Sequence, residues 1–191
     1  MEIRNAQKSD FVAIADIYNH YVKHSIATFE EELLSPEQML TRYHGIKAAG
    51  LPYFVAVSSG KIIGYAYAAL WHARSAYRFS VENSVYIAPG QSRRGVGRAL
   101  VQATLDAVRQ QGKTMMLSLI SIMPDQGLDE HASVGLHRSL GANCVGRLFR
   151  VGRKFDKWID VVWLQFDLTE GGDATPGKPG DVVDLGLKAK L

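Results

Sequence analysis

Three successive segments between Tyr53 and Ile87 alternate apolar and polar side chains with a period of two, and a glycine-bearing loop then leads into a stretch of helical period. YFVAV, a turn at Ser58-Ser59-Gly60 and IIGYAYAAL read as an antiparallel hairpin. The third segment, FSVENSVYI, places Phe79, Val81, Asn83, Val85 and Ile87 on one face and Ser80, Glu82, Ser84 and Tyr86 on the other, and Pro89-Gly90 ends it. Val96, Leu100, Val101, Leu105 and Val108 then recur at helical spacing, with Gly112 as a stop. A strand that follows a hairpin, rather than opening a strand-helix-strand unit, argues against a doubly wound parallel sheet.

The flanking sequence completes a layered domain. A strand around Glu2 to Asn5 precedes a helix capped by Ser9 or Asp10 that carries Phe11, Ile14, Ala15, Ile17 and Tyr18 inward. Ser35-Pro36 opens a second helix that ends near Gly50. TMMLSLISI is a buried strand, HASVGLHRSLG a short helix closed by Gly141, and CVGRLFRV and WIDVVWLQFDL are the last strands. The order predicts an α+β (α/β layered) fold, a mixed, mostly antiparallel sheet flanked by helices, over residues 1–168. Residues 169–191, rich in Gly, Pro and charge, read as a flexible tail.

Composition narrows the function. The 191 residues, 47% hydrophobic and 21% charged, suit one globular domain. No run approaches the roughly 20 apolar residues that span a bilayer, and MEIRNAQKSD lacks a signal-peptide core, so no membrane partner is expected. Cys144 is the only cysteine, which precludes an intrachain disulfide or a cysteine zinc cluster and fits a cytoplasmic location. A net charge of +3 is a weak attraction for polyanions, and the basic clusters lack interleaved aromatic platforms, so nucleic acid is not expected as a partner.

The residues that carry chemistry gather around SVENSVYI and the loop PGQSRRGVG. Two glycines spaced by one residue at a helix N-terminus leave backbone N–H groups unpaired, and the helix dipole adds positive character. A pyrophosphate fits there, reinforced by Arg93, Arg94 and Arg98; a tight turn using glycine for positive φ would leave the same pattern. GVGRAL lacks the third glycine of a dinucleotide fingerprint, and no P-loop GK[ST] follows. Glu82, one strand before this loop, can act as a general base if burial raises its pKa toward about 6–7, or it is a glutamate on a half-solvated strand face. His137 can donate a proton to a leaving group, or it is a hydrogen-bonded core histidine. Phe29, Arg74, Tyr77 and Arg78 can line a pocket for an anionic substrate, or they belong to surface loops. No motif places Cys144 as a nucleophile.

Taken together, SVENSVYIAPGQSRRGVGRALV, HASVGLHRSLGA and VGRKFDKWIDVVWLQFDL resemble the GNAT superfamily of N-acetyltransferases, and within it the phosphinothricin and methionine sulfone/sulfoximine acetyltransferase branch. NHYVKHSIATFEEE and WHARSAYRFSVE extend the resemblance to roughly Ile3 to Leu168. It implies acetyl-CoA as co-substrate, no metal, a homodimer, and direct transfer of the acetyl group to the amine of a small amino-acid-like substrate. It further implies that Val85, Tyr86 and Ile87 contact the acetyl and pantetheine part through main-chain groups, while Arg93, Arg94, Gly95, Val96, Gly97 and Arg98 hold the pyrophosphate. Glu82 matches the family's base, and His137 stands where many members have a tyrosine acid. Tyr77, Arg78, Phe29 and the late loop GRKFDKW, with Lys154, match substrate-side positions.

The sequence departs from the pattern at two places. Ser92 replaces the usual Gln or Arg three residues before the first loop glycine, and Glu130 replaces the usual Asn three residues before Ser133, which is kept as a cofactor contact. Other acceptors, such as a peptide or protein N-terminus or a polyamine, and a non-catalytic acyl-CoA-binding module, are the alternative readings.

Overall fold

The structure is a computed structural model that describes residues 1–169; the tail read beyond Leu168 falls, from residue 170 on, outside the described residues. Eleven elements follow in the order β1 (Glu2–Asn5), α1 (Phe11–His24), α2 (Pro36–Ala48), β2 (Tyr53–Ser58), β3 (Lys61–Leu70), β4 (Ser80–Ile87), α3 (Val96–Gln110), β5 (Met115–Ile122), α4 (Ala132–Arg138), β6 (Asn143–Lys154) and β7 (Lys157–Asp167). The strands form one sheet in the order β1-β2-β3-β4-β5-β7-β6, antiparallel throughout except between β4 and β5. The expected mixed, mostly antiparallel sheet is therefore present.

Local chemistry sets the boundaries. Ser35 accepts the Gln38 N–H and Gln38 reciprocates to the Ser35 N–H, a capping box with Pro36 in the first turn, and Gly50 (φ 74°) takes the chain out of α2. Asp10 stands at the N-cap of α1 but makes no cap bond; its carboxylate takes both terminal nitrogens of Arg4, at 2.7 and 2.8 Å. Two residues with positive φ close each late or central hairpin: Ser59 and Gly60 between β2 and β3, Phe155 and Asp156 between β6 and β7. GRKFDKW, expected as a loop beside the substrate, is thus the tip of a paired hairpin, with Arg153 opposite Trp158 and Lys154 opposite Lys157.

The helices cover opposite faces. Phe11, Ile14, Ile17 and Tyr18 of α1 pack with Tyr53, Val55 and Tyr65 on one side. Leu100, Val101, Leu105 and Val108 of α3, all at most 1% exposed, pack on the other, and each contributes about 1.5–3 kcal/mol by burial. β4 divides as its alternation requires: Val85 and Ile87 join the α3 side, Tyr86 the α1 side.

β4 and β5 form a fork. Their parallel pairing runs only from Ser80 opposite Met115 to Asn83 opposite Ser118. Beyond it β4 continues along β3 to Ile87, while β5 continues along β7 to Ile122. Ala88 and Ser80 bond to β3, so alternation turns the main-chain groups of even-numbered β4 residues toward β3 and those of odd-numbered ones toward the fork.

Candidate active site

A groove of about 660 Å³ occupies the fork, walled by β4 from Asn83 to Ile87, β5 from Ser118 to Ser121, the loop before α3, the start of α4 and residues 25–27 after α1. Its depth comes from strand separation, so main-chain groups that a closed sheet would consume are available. The Val85 N–H and C=O face the fork without a strand partner. Ile87 differs: the Tyr21 hydroxyl donates to its carbonyl at 2.7 Å and accepts its N–H at 3.3 Å. Tyr86 turns its main chain to β3 and reaches the groove by its other atoms. Of the three main-chain contacts expected here, only that of Val85 stands free.

At one end of the groove the chain coils tightly into α3. Gly90 (φ 76°), Arg93 (φ 62°) and Gly95 (φ 78°) are left-handed, and Gly95 is the N-cap. The first capping bond runs from the Ala99 N–H to the Gly95 carbonyl, which leaves the N–H groups of Val96, Gly97 and Arg98 without intrahelical partners, at the positive end of a 15-residue helix. Gly97 is needed for proximity: a Cβ there would stand 3.0 Å from Leu136 Cδ2 of α4. Ser92, Arg93, Gly95, Gly97 and Arg98 line the groove. Arg98 also bonds Ser139 Oγ at 2.9 Å, tying α3 to α4. Arg94 lies off the lining and reaches Gln91, and the Val96 side chain is buried in the core, so from the expected set these two contribute at most through the main chain.

The floor of the groove holds polar atoms with no partner. Asn83, 4% exposed, donates to Ser118 Oγ at 3.3 Å and leaves Oδ1 unpaired. His137, 1% exposed, has Nδ1 2.7 Å from the Ser133 carbonyl and leaves Nε2 unpaired. His131, at the N-cap of α4, leaves Nδ1 unpaired. Burial pulls His137 below the ordinary imidazole pKa, with the Ser133 carbonyl opposing, and burial lowers His131 as well. An unsatisfied buried polar atom costs about 1–3 kcal/mol, so three along one groove mark a place built for a ligand or ordered water.

Glu82 lies one residue before the fork opens, paired with Ala69 of β3 and Leu117 of β5, on the sheet face opposite Asn83 and outside the groove lining. Its carboxylate makes no hydrogen bond or ion pair among the described residues, and burial alone pushes its pKa above the ordinary value. The segment with Arg74, Tyr77 and Arg78 joins β3 to β4 at the Glu82 end of the strand, opposite the end that carries the α3 loop. Arg74 is exposed at the cap of a short 3₁₀ turn, the Tyr77 ring lies 4.9 Å from His72, and Arg78 stacks 4.3 Å from the Phe79 centroid. Phe29 packs against Gly152 of β6. Lys154 is 2% exposed, and its ammonium donates to the carbonyls of Ser25 at 3.0 Å and Thr28 at 2.8 Å. Expected to meet the substrate, it instead braces the segment after α1, because a buried ammonium must spend its donors.

Comparison with known proteins follows the same outline. The profile of the Acetyltransferase (GNAT) domain matches residues 3–163. The chain belongs to the GNAT acetyltransferase family. It is 42% identical to a phosphinothricin N-acetyltransferase from Alcaligenes faecalis, covering 91% of this chain and 86% of that one. It is 34% identical to the L-methionine sulfoximine/L-methionine sulfone acetyltransferase of Salmonella typhimurium, covering 89% and 96%. The solved GNAT phosphinothricin acetyltransferase from Sinorhizobium meliloti, in complex with AcCoA, superposes with a TM-score of 0.83 at 34% identity over 93% of each chain. Within this GNAT domain the sequence motifs did not reveal Tyr21, Ser118 or His131. Asn83 and Ser118 did carry a signal, as single polar residues on otherwise apolar strand faces.

Proposed function

We propose that this GNAT acetyltransferase moves an acetyl group from acetyl-CoA to the amino group of a small amino-acid-like substrate such as phosphinothricin, methionine sulfone, methionine sulfoximine or a related L-amino acid, with Glu82 as the general base. The observation that carries the reading is the Glu82 carboxylate, partly buried without a counter-charge among the described residues, one residue before the fork opens. When bound, acetyl-CoA supplies an acetyl group already activated as a thioester. The free N–H groups of Val96, Gly97 and Arg98 suit its pyrophosphate, and the unpaired Val85 main chain suits its amide-bearing arm and a developing oxyanion. An ammonium that becomes an amide sheds two protons, and the thiol product retains one. Glu82 takes the other, and desolvation makes it more basic than an ordinary glutamate. Arg74, exposed beside the Glu82 end of β4, offers its guanidinium to a substrate carboxylate or phosphinate, with Tyr77 and Arg78 in the same segment, and Phe29 against β6 is the further substrate-side residue of this reading.

A thiol-release assay with acetyl-CoA against these amino acids and a short peptide tests the reading. Turnover confined to the amino acids supports it; turnover on the peptide alone assigns a protein N-terminus instead. We also propose a homodimer, because Leu148, Phe149, Val151, Phe155 and Trp158 of the β6–β7 hairpin are exposed apolar side chains, Phe149 at 73%. A monomeric mass by light scattering at micromolar concentration would overturn it.

A further inference from the structure

The family resemblance sets His137 where many members have a tyrosine acid, and the geometry points to the opposite role. Nδ1 lies 2.7 Å from the Ser133 carbonyl oxygen one helical turn back. A carbonyl only accepts, so Nδ1 carries the proton, and the neutral ring then presents a lone pair at Nε2. Among the described residues the basicity of this ring is set by its burial, which favours the neutral form, and by that same carbonyl, with no carboxylate bonded to the ring to hold a second proton. Nε2 is buried at the floor of the groove, has no partner, and lies among the lining residues together with Asn83, whose Oδ1 is likewise unpaired. Asn83 donates one N–H to Ser118 Oγ and leaves its Oδ1 as an acceptor in the same groove.

We infer that His137 serves the reaction as a hydrogen-bond acceptor, its Nε2 receiving the S–H of coenzyme A as the thiol forms, rather than as the acid that protonates a thiolate. The inference rests on the acetyl-CoA reading above. It assigns the sulfur's proton to the reacting ammonium, the proton balance already given, and makes His137 a residue that recognises product thiol over thioester, which has no S–H to donate.

Two measurements test it, neither of them activity. Nitrogen-15 NMR of the histidine rings in the free protein should show His137 neutral, protonated at Nδ1, from pH 8 down through the ordinary imidazole range. Calorimetric titration should show wild-type protein binding coenzyme A roughly fivefold more tightly than desulfo-coenzyme A, the worth of one neutral hydrogen bond. His137→Phe should bind the two equally, with affinity for desulfo-coenzyme A little changed. A proton on Nε2, an imidazolium near neutrality, equal binding by wild type, or discrimination that survives in His137→Phe would each overturn the inference. If the phenylalanine variant does not fold, the NMR and wild-type titration decide alone. Failure to bind either coenzyme would instead remove the acetyl-CoA reading.

Discussion

Replacing Glu82 by glutamine should slow the enzyme and stabilise the fold, because both effects arise from one buried carboxylate. Glu82 lies on β4 between β3 and β5, its carboxylate has no hydrogen bond or cation to compensate it among the described residues, and burial raises its pKa. As a general base it contributes about 10²–10⁴-fold, or about 3–5 kcal/mol of barrier, so kcat for the preferred amine should fall by that factor in Glu82→Gln. Acetyl-CoA affinity should be unchanged, since the loop before α3 lies at the far end of β4.

The sign of the stability effect follows from linkage. A folded-state pKa above the unfolded one means that protonation favours the folded protein below the unfolded value, and that this advantage is lost as pH rises through the folded value. At pH 7–8 the ionised, dehydrated carboxylate is a net cost, and glutamine carries no charge. Thermal unfolding should therefore show Glu82→Gln more stable than wild type at pH 8, with the gap closing toward pH 4. In steady-state assays the wild-type rate should fall on the acid side as Glu82 takes up its proton, above the range of an ordinary glutamate, and the variant should lack that limb. A fall in kcat below about tenfold, an acid limb that persists in the variant, or a variant less stable at pH 8 would refute the assignment.

Three further substitutions probe the elements that hold the site. Asp160 is fully buried, takes the Arg147 guanidinium at 2.7 Å and the Arg150 N–H at 2.7 Å, so Asp160→Ala should cost about 1–3 kcal/mol in urea unfolding by stranding the Arg150 N–H and leaving Arg147 only the Met123 and Pro124 carbonyls. Gly152→Ala would set a Cβ 2.4 Å from Phe29 Cε2, more than 1 Å inside normal contact; the half-exposed ring should swing away, raising KM for the amine severalfold and leaving KM for acetyl-CoA unchanged in initial-rate kinetics. Lys154→Met should release the Ser25 and Thr28 carbonyls, with about 1–3 kcal/mol lost in thermal or urea unfolding and a higher KM for acetyl-CoA, because Ser25 to Ala27 wall the groove.

What the sequence displayed and what it hid divide along the range of the interaction. The faces of β4, the hairpin turn at Ser59-Gly60, the capping box at Ser35 and the glycine-bearing turn into α3 are settled within a few residues, and short-range periodicity and turn chemistry expose them. The insertion of β7 between β5 and β6 depends on pairings such as Met115 with Asp167, 52 positions apart, and leaves no local mark. The same reason hides Tyr21, whose hydroxyl meets Ile87 across 66 positions, and reverses the role of Lys154, whose partners lie 126 and 129 positions away. Through the resemblance of GRKFDKW to the branch's late loop, Lys154 looks like a substrate contact until its burial is known.

His137 is the instructive middle case. A histidine at that position of the short helix was visible as a candidate, yet residue type alone does not say whether a ring gives or takes a proton. That choice rests on which nitrogen the Ser133 carbonyl occupies, a contact one helical turn long and thus local, but fixed only once α4 packs the ring against Phe166, 6.0 Å between centroids, and shuts out water. Glu82 passes through the same logic with the opposite outcome. Its alternation on β4 fixes the face, and the end of the β4–β5 pairing one residue later supplies the opening and the dehydration. Position in the sequence thus nominates both groups, while packing supports the proposed roles: Glu82, raised and unpaired, is suited to receive a proton, and His137, lowered and bonded through Nδ1 to a carbonyl, is suited to accept at Nε2 rather than to give.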